Sequence, residues 1–274
     1  MAIDHRDSML GALRRAGLDH PSAELVAAIK SDVCRAIGPF ATAVMLDALY
    51  GRAALDEGAV PARCALIMPL EAQGYDAAGE GHLTTLMPDF TPMVAACSFG
   101  ADACKLLLPF RAGERTAAQQ LQTAMDAIEL SRAQGLPLVL EPIIYRKAGE
   151  SDESFWADYG RVLIEAVSRL VDVTPDLLKL PFPARTADAR DAARACHALN
   201  DACRGIPWVL LGGGAAQSEM EAQVRMARDS GAIGFLIGRT LWSGALVADA
   251  SARREAIGDR VIPAFRRLAD IAAA

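Results

Sequence analysis

The stretch PDLLKLPFP, residues 175–183, places Lys179 inside a short run of leucine and proline. Asp176 and Pro181 bound a segment too short for a helix, so it reads as a buried strand. A lysine there is costly unless it is paired or uncharged, so the strand raises a chemical question together with a structural one. Runs of the same kind recur along the chain: MAID (1–4), TAVMLD (42–47), CALIMPL (64–70), ACKLLLP (103–109), PLVLEPI (137–143), LLKLPF (177–182), WVLLGG (208–213) and IGFLIG (233–238). Between most of them lie amphipathic stretches, such as AAQQLQTAMDAIELSRAQG (117–135) and SEMEAQVRMARDSG (218–231). Gly135 reads as a helix stop and Ser218 as an N-cap. Near-continuous apolar strands with helical crossovers indicate a parallel sheet covered on both faces. Eight of them in 274 residues predict an α/β protein of the (β/α)8, or TIM, barrel type. An open doubly wound sheet is the alternative, but the first strand–helix turn carries no GxGxxG.

The expected domain is a single barrel over residues 1–274. With 52% hydrophobic and 23% charged residues the composition is globular. No apolar run approaches the ~18 residues of a membrane span, and the N-terminus lacks a basic region followed by an apolar one. The six cysteines, at 34, 64, 97, 104, 196 and 203, show no paired spacing. They read as reduced residues of a cytoplasmic protein, not as a zinc site or a disulfide frame. A net charge of −6 argues against nucleic acid or a membrane surface as the main partner. A homo-oligomer is compatible with this composition.

In a barrel, functional groups are expected at the C-terminal ends of strands and in the loops that follow. The ionisable residues there are Asp4, His5 and Arg6 after the first run, Asp47 ending the second and Glu71 after the third. Lys105, Glu141 and Lys179 lie within the fourth, fifth and sixth, and Arg239 follows the eighth. Each has a plainer reading. Lys179 could snorkel outward between helices. Lys105 and Glu141 could be a buried ion pair without chemistry. Asp47 suits a strand-end turn, Glu71 is balanced between loop and site, and His20 and His197 read as surface residues. Segments 71–92 and 145–154 read as loops on the catalytic face. Two lysines and a glutamate in three consecutive strands favour a site, because side chains pointing into one barrel meet near its axis.

The seventh run ends in Gly212, Gly213 and Gly214, and the eighth ends in Gly238 and Arg239. Glycines let backbone N–H groups approach an anion, a following helix adds its positive end, and arginine matches phosphate geometry. This predicts a phosphate seat, the plainer reading being tight turns alone. A buried lysine beside a second ammonium is biased towards the neutral amine. That amine attacks a carbonyl to give an iminium, an electron sink for C–C cleavage. A carboxylic acid, Glu141, moves the proton of the departing hydroxyl. The residues thus outline a class I aldolase with a phosphate seat.

AIDHRDSM, MLDALYG, PLEAQGYD, ADACKLLLPF, LVLEPIIY, LLKLPFP, VLLGGGA and FLIGRTLW resemble, in order and spacing, the strand signatures of a class I aldolase family. It is the family containing tagatose 1,6-bisphosphate aldolase and sulfofructose-phosphate aldolase. The resemblance implies Lys179 as Schiff-base lysine, with Lys105 and Glu141 as partners. It also implies that Asp4 and its neighbour line the site, and that Gly213, Gly214 and Arg239 hold phosphate. It implies cleavage of a phosphorylated ketose, a 1,6-bisphosphate or a 6-deoxy-6-sulfofructose 1-phosphate, to dihydroxyacetone phosphate and an aldehyde, without cofactor or metal. Two positions depart from that pattern: His5 stands where glutamine is expected and Gly212 where serine is. A DHR start also marks an aldolase of inositol breakdown acting on a deoxy-ketogluconate phosphate. Arg6, Arg146 and Lys147 are candidates for a second anion. From other classes come a metal-dependent enzyme using His5, His82, Asp47 and Glu71, and a non-catalytic sugar-phosphate binding protein.

Overall fold

The computed structural model describes residues 1–78, 81–86, 92–185 and 188–274. Its strands are β1 (Ala43–Met45), β2 (Ala65–Pro69), β3 (Glu71–Ala78), β4 (Gly81–Leu86), β5 (Ala103–Pro109), β6 (Leu138–Ile143), β7 (Leu177–Leu180), β8 (Trp208–Leu211) and β9 (Phe235–Leu236). Seven form one parallel sheet in the order β1-β2-β5-β6-β7-β8-β9. The N-terminal segment fills the gap between its edges. Ala2 bridges Met45 in parallel, Ile3 N–H donates to Met45 O at 2.8 Å, and Ala2 N–H donates to Ile237 O at 2.9 Å. The ring is the (β/α)8 barrel, and its eight wall segments are the eight apolar runs of the sequence.

Alternation along the strands separates two cores. Ala2, Met45, Ile67, Val139, Val209 and Leu236 fill the interior, with Ala43, Ala103 and Leu177 packed against them. Leu106, Leu108, Leu140, Leu178, Leu180 and Leu210 are fully buried in the outer core against the helices. Each of these leucines contributes about 2 kcal/mol by burial. Both faces of the seven sheet strands are largely apolar as a result, which is why the runs show no hydrophobic–polar alternation.

Two local readings are corrected. Residues 71–92 are not simply a loop, because β3 and β4 pair antiparallel in register Tyr75↔Thr84 and Ala77↔His82, a hairpin between β2 and β5. Tyr, Thr and Leu suit strands, but glycines and acidic residues hide the periodicity. Ser218 is not an N-cap: the helix is Gln217–Asp229, its cap position is Ala216, and no side chain caps it. Gly135 does follow the helix Ala117–Ala133, at φ 70°, a left-handed exit that suits glycine. Among the described residues no helix is long and apolar enough to cross a membrane.

Candidate active site

Lys105, Glu141 and Lys179 share strand faces with Ala103, Val139 and Leu177, so each projects into the barrel above the interior core. Lys105 Nζ lies 2.6 Å from Glu71 Oε1, 2.9 Å from Asp4 Oδ2 and 3.2 Å from Glu141 Oε2. Lys179 Nζ lies 2.9 Å from Glu141 Oε1 and 3.9 Å from Met45 Sδ. Glu141 therefore bridges the two lysines. With Lys179 only 4% exposed, outward snorkelling does not describe it. Glu71, balanced between two readings in the sequence, belongs to the cluster, and its Oε2 accepts the Leu107 N–H at 3.1 Å.

Three carboxylates gather round Lys105, one of them reaching Lys179 as well, and the protonation preferences of Lys105 and the carboxylates follow. Burial works against charge on Lys105, but Asp4, Glu141 and Glu71 outweigh it and hold its ammonium well above the ordinary lysine value. Burial would also raise the Glu141 carboxyl; Lys105 and then Lys179 reverse this and leave it below the usual range. Asp4 is likewise held well below it, burial being overcome by Lys105, Lys179 and His5. Glu71 goes the other way, because burial outweighs the pull of Lys105 and raises its carboxyl. Lys105 is thus a fixed cation, and Glu141 an ionised base in contact with the second amine.

The opposite end of the site is built from glycines. Gly213 and Gly214 have φ 52° and 87°, left-handed conformations that favour glycine, and they lead into the uncapped helix Gln217–Asp229. Arg239 donates from Nη2 to Gly213 O at 3.3 Å. A Cβ on Gly238 would lie 2.7 Å from both Ala2 O and His5 Cε1, so glycine is required for the N-terminal segment to pass. His5 stands edge-on to Trp242 at 5.1 Å, with Nδ1 3.7 Å from Asp4 Oδ1. Burial, aided by Lys179, Lys30 and Arg239 against the pull of Asp4, lowers the His5 imidazole to about 4. Gly212 has its own reason: a Cβ there would meet Ile237 Cγ2 at 2.9 Å, leaving no room for serine.

The other sequence candidates separate. Arg6 is buried beside the cluster and donates to Glu71 O at 2.9 Å. Arg146 pairs with Asp152 at 2.6 Å and Lys147 pairs with buried Glu114, so both are engaged in ion pairs within the protein. Asp47 accepts the Tyr50 N–H at 2.9 Å, capping the helix Ala48–Asp56, and pairs with Lys30. Of the four metal-ligand candidates, Asp47 and Glu71 are committed to lysines, His5 to its aromatic packing, and the His82 side chain lies outside the described residues. Sequence reasoning passed over Lys30 and the cleft of about 320 Å³ lined by Trp156, Tyr159, Arg185 and Gly212–Gly214, where the Arg185 guanidinium stacks 3.8 Å over Trp156. Lys30 had a legible signal, since Val26, Ile29, Val33 and Cys34 put it on the apolar stripe of its helix.

Fold and site together give a (β/α)8 barrel that encloses a buried cluster of lysines and carboxylates, and in such barrels chemistry is expected at the C-terminal ends of the strands. The family model described as DeoC/LacD family aldolase matches residues 1–244; the chain belongs to this family of class I aldolases and is a lyase. Tagatose 1,6-diphosphate aldolase 1 of Enterococcus faecalis is 27% identical over 265 residues, covering 89% of this chain and 79% of its own. Tagatose 1,6-diphosphate aldolase 2 of Streptococcus pyogenes serotype M1 is 27% identical over 274 residues, covering 90% and 80%. Among solved structures, an archaeal fructose 1,6-bisphosphate aldolase superposes with TM-score 0.62 at 17% identity, over 88% of this chain and 82% of the other. A Schiff base-forming fructose-1,6-bisphosphate aldolase gives TM-score 0.61 at 17% identity, over 92% and 84%. These last two are likenesses of fold.

Proposed function

We propose that the protein cleaves a ketose phosphorylated at C1 into dihydroxyacetone phosphate and an aldehyde, through a Schiff base on Lys179. The observation that carries this reading is the 2.9 Å contact between Lys179 Nζ and Glu141 Oε1 inside the barrel, with Lys105 fixed beside them as a cation. The Lys179 amine attacks C2 of the ketose, and the carbinolamine takes up a proton and loses water to give the iminium. Glu141 takes the proton of the C4 hydroxyl as the C3–C4 bond breaks, and the electron pair moves into the iminium to form an enamine. The aldehyde leaves, a proton returns to C3, and water releases dihydroxyacetone phosphate and the free amine. Lys105, bound to Asp4, Glu71 and Glu141, keeps Glu141 ionised for this step. Gly213, Gly214, the open helix start and Arg239 receive the C1 phosphate, while Gly212, Gly238, His5 and Arg6 shape the surrounding pocket.

Incubation with dihydroxyacetone phosphate, borohydride reduction and peptide mass spectrometry test the reading. A reduced adduct on Lys179 supports it. Binding of the sugar phosphate with no adduct sinks the Schiff-base step.

A further inference from the structure

Lys30 is fully buried, although its helix Ala23–Ile37 would be complete with an apolar residue at that place. Its ammonium donates to Ile3 O at 2.6 Å and His5 O at 2.8 Å, and it is paired with Asp47, which is fully buried too. These carbonyls flank Asp4. The ladder joining the N-terminal segment to β1 reaches Ile3 N–H, which donates to Met45 O at 2.8 Å. Beyond it the chain leaves the barrel wall, and the helix Asp7–Arg15 begins three residues after Asp4. Across that short link Lys30 takes over from the sheet, and Asp47, held in turn by the Tyr50 N–H at 2.9 Å, fixes Lys30. A buried ion pair is often no more stabilising than apolar residues of similar volume, so stability alone is a weak reason to keep one here.

We propose that Lys30 is a positioning residue: with Asp47 behind it, the ammonium clamps the Ile3 and His5 carbonyls and so aims the Asp4 carboxylate at Lys105 and sets the His5 ring against Trp242. The inference rests on the reading of Asp4 and His5 as active-site groups. Lys30 touches no reacting atom; it acts through the backbone of residues 3–5.

Two variants test it, Asp47→Asn and the charge-free pair Lys30→Met/Asp47→Asn, since Lys30→Met alone strands a buried carboxylate. In the pair, Lys179 still forms the borohydride-trapped adduct, kcat falls by about 10- to 100-fold and KM stays within about 3-fold, as expected when a reacting constellation is displaced by ~1 Å. Amide exchange of residues 3–6 quickens by about 10-fold while the rest of the barrel is unchanged. A folded pair with wild-type kcat and wild-type exchange overturns the proposal. If the pair does not fold, Asp47→Asn decides: asparagine caps a helix as well as aspartate, so unchanged kcat and exchange mean a cap only, and a loss of about 3- to 10-fold supports the clamp. If the wild-type protein itself yields no adduct, the Schiff-base reading fails, and exchange at residues 3–6 still judges the clamp.

Discussion

Lys105 on β5 and Lys179 on β7 are both buried lysines on either side of β6, yet their partners differ, and substitution separates them. Lys179→Met leaves Glu141 with Lys105 at 3.2 Å, so the protein folds, while turnover drops by at least about 10⁴-fold and the trapped adduct disappears. Retained turnover in that variant refutes the role of Lys179. Lys105→Met instead strands Asp4 and Glu71 without their cation and costs about 3–5 kcal/mol of stability, read as a lower denaturant midpoint. Arg239 is exposed and donates to the Gly213 carbonyl. Arg239→Ala raises KM by about 10- to 100-fold with kcat little changed, as loss of a charge-assisted bond remote from the breaking bond should; unchanged KM removes the phosphate assignment.

At the scale of elements, the turns after β8 and β9 are matched to each other. Gly212 is excluded from carrying a side chain by Ile237, two residues beyond Phe235. Gly212→Ser is therefore destabilising by about 1–3 kcal/mol through overpacking. Pairing it with Ile237→Ala removes the Cγ2 and Cγ1 atoms in the way and restores about half of that loss, a coupling that a double-mutant cycle in urea measures. Strictly additive effects refute the packing account. Serine is the residue expected here from the family pattern, so the departure is a packing trade between two loops. The sequence displayed the glycine but could not display its neighbour across the sheet.

Over the whole molecule, acid stability reports on the closure of the barrel. His5 lies where the N-terminal segment meets β1 and Ile237, and its imidazole is lowered to about 4 from an ordinary 6.5. As pH falls below 6.5 the unfolded chain takes up this proton and the folded chain does not, until about 4. Stability is therefore full above that window and declines through it, by on the order of 3 kcal/mol from this group. His5→Asn removes the titration, and its stability changes less between pH 6.5 and 4 than the wild type's, as denaturant titrations across that window measure. Parallel curves for the two proteins exclude His5 as the source.

The eight wall segments were legible because a strand buried on both faces must be apolar throughout, and that property needs no partner to be seen. The aldolase reading was legible for a related reason, since a lysine such as Lys179 or Lys105 in such a strand is an expensive exception. What the sequence left open were matters of neighbourhood. Glu71 could not be placed because its role depends on which way the chain turns after β2, towards Lys105 2.6 Å away. The hairpin β3–β4 was concealed because its pairing is antiparallel and local within a parallel fold. Lys30 and Asp47 lie 17 residues apart in the chain and belong to different elements, so their ion pair and its grip on residues 3–5 exist only after folding. Composition and periodicity determined the barrel and its interior cations; three-dimensional packing decided which carboxylate meets which ammonium, because those energies depend on distances that the linear chain does not contain.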